Sequence, residues 1–183
     1  MSIIDYLCRG RDFDKKLSTS RERLYRLAYS WCHQPDVADD LVQDTCSKAL
    51  NRRQSLRDDS AFDTWIFRIL ANTWYDYLKL QKEVVEYDDV YKPDDMTPEF
   101  IHSRYETIVD VRNAVGQLPL GQRQVLSLIE LEQFSYSEVA EILDIPVGTV
   151  MSRLCRARKQ LKELLLKTEH QSSATVTSLR SLK

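Results

Sequence analysis

The chain reads as an all-α protein of two small helical domains joined by an acidic flexible linker. Apolar residues recur at helical spacing along most of its 183 residues, and only four glycines and five prolines interrupt them. Near the middle, between Glu83 and Glu99, seven acids face the single base Lys92, and Pro93 and Pro98 break the periodicity. These observations divide the chain into a first domain over 1–82, a linker over 83–99, a second domain over 100–167 and a disordered tail over 168–183, where serine and threonine accumulate. A hydrophobic content of 43% is ordinary for a globular protein, and the formal charge of −2 hides strong local contrasts.

The first domain opens with a helix over Phe13–Cys32, whose Leu17, Leu24, Leu27, Ala28 and Trp31 fall on one face. A second helix over Val37–Leu50 follows Pro35. It buries Val37, Ala38, Leu41, Val42, Cys46, Ala49 and Leu50 and leaves Asp39, Asp40, Gln43 and Asp44 outside as an acidic edge. A polar loop, Asn51–Asp59, leads to Ser60, which with Asp63 has the spacing of a capping box. In the helix after it, Phe62, Ile66, Ile69, Leu70, Thr73 and Tyr77 share one face. Thr64, Arg68, Ala71, Asn72, Tyr75, Lys79 and Lys82 share the other. Cations, an amide and an aromatic on one face suit single-stranded nucleic acid, which offers phosphates and unstacked bases together. A wet face on an ordinary amphipathic helix has the same pattern.

The second domain carries the sharper signal. Ser135 stands three residues before Glu138 in a second capping-box pattern, and Val139, Ala140, Ile142 and Leu143 follow as a buried stripe. Pro146 stops that helix and suits the first turn of the next. At about 100° per residue, Val150, Leu154, Ala157 and Leu161 line up to face the first helix. The opposite face holds Gly148, Thr149, Ser152, Cys155, Arg156 and Lys159. Between Val147 and Lys167, Arg153, Arg156, Arg158, Lys159, Lys162 and Lys167 oppose only Glu163. A short helix, a tight turn and a basic helix that is small and polar at its N-terminal end form a helix-turn-helix, with double-stranded DNA as the expected partner. Gln122–Glu132 is expected to pack beneath it.

Chemistry is not indicated. Cys8, Cys32, Cys46 and Cys155 form no C-x-x-C pair, and His33, His102 and His170 are scattered. Reduced thiols, surface histidines, no metal and no cofactor are the expectation. The N-terminal MSIIDYLCRGRDFDKK lacks the apolar core of a secretory signal, and no run approaches a membrane span, so a cytoplasmic location is expected.

Taken in order, the blocks ADDLVQDTCSKAL, FDTWIFRILANTWYDYLK and LPLGQRQVLSLIELEQFSYSEVAEILDIPVGTVMSRLCRARKQL resemble the extracytoplasmic-function sigma factors of bacteria, the smallest members of the sigma-70 family, over Phe13–Leu166. The resemblance implies region two, region four and no region three. It implies that Asp40, Gln43 and Asp44 meet the clamp coiled coil of core RNA polymerase. Arg68, Asn72 and Tyr75, with Lys79 on their face and the loop Arg52–Ala61 beside them, then take the melted minus-ten strand and pocket a flipped base. Met151, Ser152, Cys155 and Arg156 match the major-groove contacts to the minus-thirty-five element, and Thr149 and Lys159 share their surface. It implies that the acidic linker follows the channel later taken by RNA. A cognate anti-sigma factor, often membrane-anchored, is a further implied partner that would hold the chain at the inner membrane.

Three positions depart from the family pattern. Trp65 is followed by Ile66 where larger relatives place two tryptophans, Met151 stands where many have a base, and Asp144 where many have glycine in the turn. Aspartate tolerates that left-handed position better than most residues. A conventional helix-turn-helix regulator would share only the C-terminal half of the pattern. An enzyme lacks a motif, and a protein that merely sequesters another regulator would support no transcription.

Overall fold

The computed structural model describes residues 3–56, 58–85 and 111–180, with side chains described within 12–81 and 111–166. Every regular element among them is helical. The linker beyond Val85 and the start of the second domain therefore lie outside the described residues.

Helix α1 spans Ile3–Cys32, and the predicted stripe is its buried face, with Leu24, Leu27, Ala28 and Trp31 all at most 1% exposed. It stops at His33, whose φ of 56° turns the backbone left-handed while its amide still bonds the Tyr29 carbonyl at 2.8 Å. Helix α2, Pro35–Arg52, begins on a proline that has no donor to waste in a first turn. Ala38, Leu41, Val42, Thr45 and Ala49 turn inward, and Leu50, expected in that stripe, is exposed.

Two short 3₁₀ turns, Arg53–Ser55 and Asp59–Ala61, occupy much of the predicted polar loop. The Ser60–Asp63 capping box does not form. Asp58 takes the capping role instead, accepting from the Ser60 amide at 2.9 Å and the Ser60 hydroxyl at 2.6 Å. Asp63 is engaged by Arg23 at 2.9 Å, and that long-range ion pair removes the carboxylate the box requires.

Helix α3, Phe62–Val85, runs three residues into the stretch read as linker. Its buried surface is wider than one stripe: Ile66, Phe67, Leu70 and Ala71 are fully buried, and Thr64 joins them. Thr64 and Ala71, expected on the wet face, are buried. They are covered because α3 lies between α1 and α2 on one side and helix α6 on the other.

The second half comprises a helical segment α4 at 111–116, α5 over Leu120–Glu130, α6 over Tyr136–Leu143 and α7 over Val147–Arg180. Helix α5 packs beneath α6 and α7 as expected. Helix α7 continues to Arg180, across the stretch expected to be a disordered tail.

The two halves are docked, sharing one contiguous hydrophobic core. Phe67 of α3 meets Phe134 edge-to-face with ring centroids 5.1 Å apart, and the Trp31 indole donates to the Ser127 hydroxyl at 2.9 Å. Full burial of a phenylalanine contributes about 1.5–3 kcal/mol. Periodicity within single helices gives no sign of this packing.

Candidate nucleic-acid interface

The α2 edge is shaped by what the rest of the helix buries. With Ala38, Leu41, Val42 and Thr45 inward, Asp40, Gln43 and Asp44 project outward, all exposed and without a hydrogen bond or ion pair among the described residues. Asp36 and Asp39 extend the same charge. Nothing in the fold uses these groups.

On α3, the spacing of Arg68, Asn72, Tyr75 and Lys79 places them along one side. Arg68, Asn72 and Lys79 are exposed and Tyr75 is half-buried. Arg68 and Tyr75 are also the pair nearest the second half: Tyr75 Oη donates to Gln124 Oε1 at 3.0 Å, and Arg68 Nη2 stands 4.0 Å from the Asp144 carboxylate. Beside them Lys16 donates to the Asp59 carbonyl at 3.3 Å, tying the loop before α3 to α1. The hydrogen bonds from Ser60, side chain and backbone, hold the Asp58 carboxyl below its ordinary range.

The helix-turn-helix is built as read. Ser135 Oγ receives the Glu138 amide at 3.3 Å, and the Glu138 carboxylate accepts from the Ser135 amide at 2.8 Å. The Ser135 hydroxyl, which donates to the same carboxylate at 2.6 Å, and the Ser135 amide lower the Glu138 pKa. Asp144 closes α6 at φ 53°, the left-handed conformation its short polar side chain tolerates. Pro146 supplies the carbonyl for the first bonds of α7, to Thr149 at 2.8 Å and Val150 at 3.2 Å. Val150, Leu154 and Ala157 are then sealed against the core, and Leu161 is half-buried.

This leaves Met151, Cys155, Arg156 and Lys159 exposed on the far side, with Thr149 and Ser152 half-exposed between them. Met151 is 54% exposed, too open for a core role. Ser152 Oγ donates to the Thr149 carbonyl at 3.1 Å, and Arg156 lies back along the helix, Nε on the Ser152 carbonyl and Nη2 on the Ser152 hydroxyl, both at 3.2 Å. Ser152 thus positions Arg156 without occupying all its donors.

Not every base counted on α7 serves this surface. Arg158 binds Glu130 of α5 at 2.7 Å, and Arg153 is half-buried against Gly121. The exposed cations of the recognition face among the described side chains are Arg156, Lys159 and Lys162.

The residues that sequence reasoning missed join the halves. Glu132, its side chain 1% exposed, accepts from Arg23 Nε at 2.7 Å and Arg26 Nη2 at 3.5 Å. Arg23 also lies over the Phe67 ring, 5.1 Å from its centroid. Burial disfavours the Arg23 charge, but its bonds to Asp63 and Glu132 outweigh that and raise its pKa. Arg123 donates to the carbonyls of Trp31 at 2.7 Å, Leu118 at 3.0 Å and Gly116, capping the end of α1 with a cation. His33, read as a surface residue, is half-buried beside it, and burial followed by the Arg123 charge lowers its pKa. The one available signal was an acid, Glu132, set in the apolar run LIELEQF.

Cys32, Cys46 and Cys155 are free thiols. Burial pushes Cys32 and Cys46 upward, while Cys155 is exposed on the recognition face. Among the described residues no cluster of potential metal ligands occurs, and no helix is long and apolar enough to cross a membrane.

Comparison with known proteins supplies the class to which this arrangement of helices belongs. The model for sigma-70 region 2 matches residues 18–83, and that for sigma-70 region 4 matches residues 108–161. The chain is 32% identical over 178 residues to the RNA polymerase sigma-H factor of Pseudomonas aeruginosa, covering 89% of this chain and 92% of that one. It is 37% identical over 145 residues to the sigma factor EcfG of Rhodopseudomonas palustris, covering 78% of each. The sigma factor RpoE of Bartonella quintana, solved with the anti-sigma factor NepR, superposes with a TM-score of 0.76 at 33% identity, over 85% of this chain and 97% of that one. The chain belongs to the extracytoplasmic-function group of the sigma-70 family.

Proposed function

We propose that this protein is a dissociable promoter-specificity subunit of bacterial RNA polymerase with no chemistry of its own, working through units at 1–82 and 100–167 joined by 83–99. Asp40, Gln43 and Asp44 bind a basic surface on the core enzyme. Arg68, Asn72, Tyr75 and Lys79 hold the melted minus-ten strand, the cations on phosphate and the ring on a base. Thr149, Met151, Ser152, Cys155, Arg156 and Lys159 enter the major groove at the minus-thirty-five element. A cognate anti-sigma factor, as in the Bartonella quintana complex, restrains it. A membrane-anchored one would keep the chain at the cytoplasmic side of the inner membrane.

The observation that supports this reading most is the α2 edge: three exposed polar side chains that no described contact within the chain uses. Groups without an internal role can be replaced at little cost to stability, usually within about 0.5 kcal/mol. The triple alanine variant should keep its melting temperature and lose most of its affinity for core polymerase in a quantitative binding assay. Retained affinity with an intact fold would remove the assignment.

A further inference from the structure

We propose that Val147 and Met151, at the entry end of the recognition helix, read the 5-methyl groups of thymines in the upstream promoter element. The proposal rests on the reading of α7 as the helix that enters the major groove, and it assigns a task to an apolar pair on a basic face. Both side chains are open to solvent, Val147 at 43% and Met151 at 54%. The core contribution of α7 comes from another line, Val150, Leu154 and Ala157, each at most 2% exposed, so the fold makes no use of either side chain. Four residues apart on a helix, the pair lies on one side with Cβ atoms about 5–6 Å from each other. Successive base pairs are about 3.4 Å apart, so the two side chains span methyl groups one or two steps apart. The backbone between them is bare at Gly148, where a Cβ would meet no atom within 4 Å. A groove edge can come close there.

The chemistry of the groove selects the ligand. Thymine alone among the four bases presents a methyl group in the major groove, and apolar side chains recognise it by contact. The polar neighbours Ser152 and Arg156, hydrogen-bonded to each other, are suited to the donors and acceptors of the other base edges. The surroundings favour DNA over a protein partner. From Val147 to Lys162 the helix carries no acid, and Arg156, Lys159 and Lys162 are exposed along it. The helix rises only about 6 Å between Val147 and Met151. Such a strip is far smaller than a stable protein interface, which takes about 800 Å² from each side. It fits within a major groove about 12 Å wide.

The test uses the full chain bound to core RNA polymerase, with duplexes recovered by that complex from a randomised pool. In the recovered upstream element each thymine is replaced in turn by deoxyuridine, which removes the methyl and leaves every hydrogen-bonding group in place. Deoxyuridine at one or two positions should weaken binding about fourfold, the effect of withdrawing one buried methyl. Met151→Ala and Val147→Ala should each bind the thymine and deoxyuridine duplexes equally at its own position. Met151→Leu, which keeps an apolar contact, should keep the difference. Both positions are exposed, and circular dichroism checks that the variants fold. An upstream element without thymine in either strand, or deoxyuridine tolerated at every position, overturns methyl reading and leaves α7 as the DNA helix. A thymine preference that survives both alanine substitutions belongs to other side chains, which also overturns the proposal and leaves the apolar pair to a protein partner. Recovery of no upstream element at all removes the underlying reading of α7, and the proposal with it.

Discussion

Tyr75 of α3 donates its hydroxyl proton to Gln124 of α5 at 3.0 Å, although the two residues lie in different halves of the chain. Gln124 is 1% exposed and its Nε2 has no partner among the described groups, so the tyrosine supplies the bond its amide does make. Tyr75→Phe should leave that acceptor unsatisfied and destabilise the docked state by about 1–3 kcal/mol. The ring available for stacking on a base is unchanged. Chemical denaturation should show the loss, while promoter melting in the polymerase complex should stay close to wild type.

Gln133, three residues past the end of α5, has a φ of 62°, a conformation that costs a non-glycine residue about 1–2 kcal/mol. Its side chain is exposed, so Gln133→Gly should raise the unfolding free energy by about 0.5–1 kcal/mol, the gain in backbone fit offset in part by the freer unfolded chain. A lower midpoint in urea would show that the glutamine side chain makes a compensating contact.

The Ser135–Glu138 capping box makes a pH-linked contribution. Because folding depresses the Glu138 pKa, its stabilisation is present above the ordinary carboxylate range and disappears as pH falls through the depressed value. Ser135→Ala should cost about 1 kcal/mol at neutral pH and progressively less in acid, read from thermal unfolding at a series of pH values.

His33 titrates in the same sense at a higher pH. Its Nε2 is buried without a partner among the described residues, a methyl group on Gly116 would lie 3.1 Å from that atom, and Arg123 adds a like charge. The folded state thus binds the proton more weakly than the unfolded chain. Stability contributed here is complete above about 6.5 and falls as the pH drops below it. His33→Gln should flatten the slope of melting temperature against pH between about 5 and 7. An unaltered slope would place the dependence elsewhere.

On the recognition helix, Arg156→Ala should lose discrimination at one or two base pairs, at about 1–3 kcal/mol per good bidentate contact. Lys162→Ala should weaken every sequence alike and reduce the salt dependence of binding. Binding of region-four DNA targets varied one base pair at a time, at several salt concentrations, separates the two. In the same complexes Cys155, exposed between Met151 and Lys159, should be protected from alkylation, as followed by peptide mapping.

What the sequence disclosed was local. The Ser135–Glu138 box, the stop at Pro146 and the Val150–Leu154–Ala157 line depend on residues within a turn or two of one another, and all appear as read. What escaped was tertiary. Thr64 and Ala71 are buried because another domain half covers them, and the seat of Arg153 against Gly121 and the ion pair of Arg158 with Glu130 both depend on α5. Ser60 lost its capping partner to Arg23, 40 residues away in sequence. The acidic edge was legible because exposed charge opposite a buried stripe needs no knowledge of the neighbours.

The most direct measurement of the central claim is transcription in vitro with purified core RNA polymerase, this chain and fragmented genomic DNA, with transcript starts mapped by sequencing. The account predicts starts that depend on the chain, share paired elements upstream, and vanish when Asp40, Gln43 and Asp44 are all alanine. Binding of the chain alone to specific duplexes, with no chain-dependent start from any fragment, would contradict it.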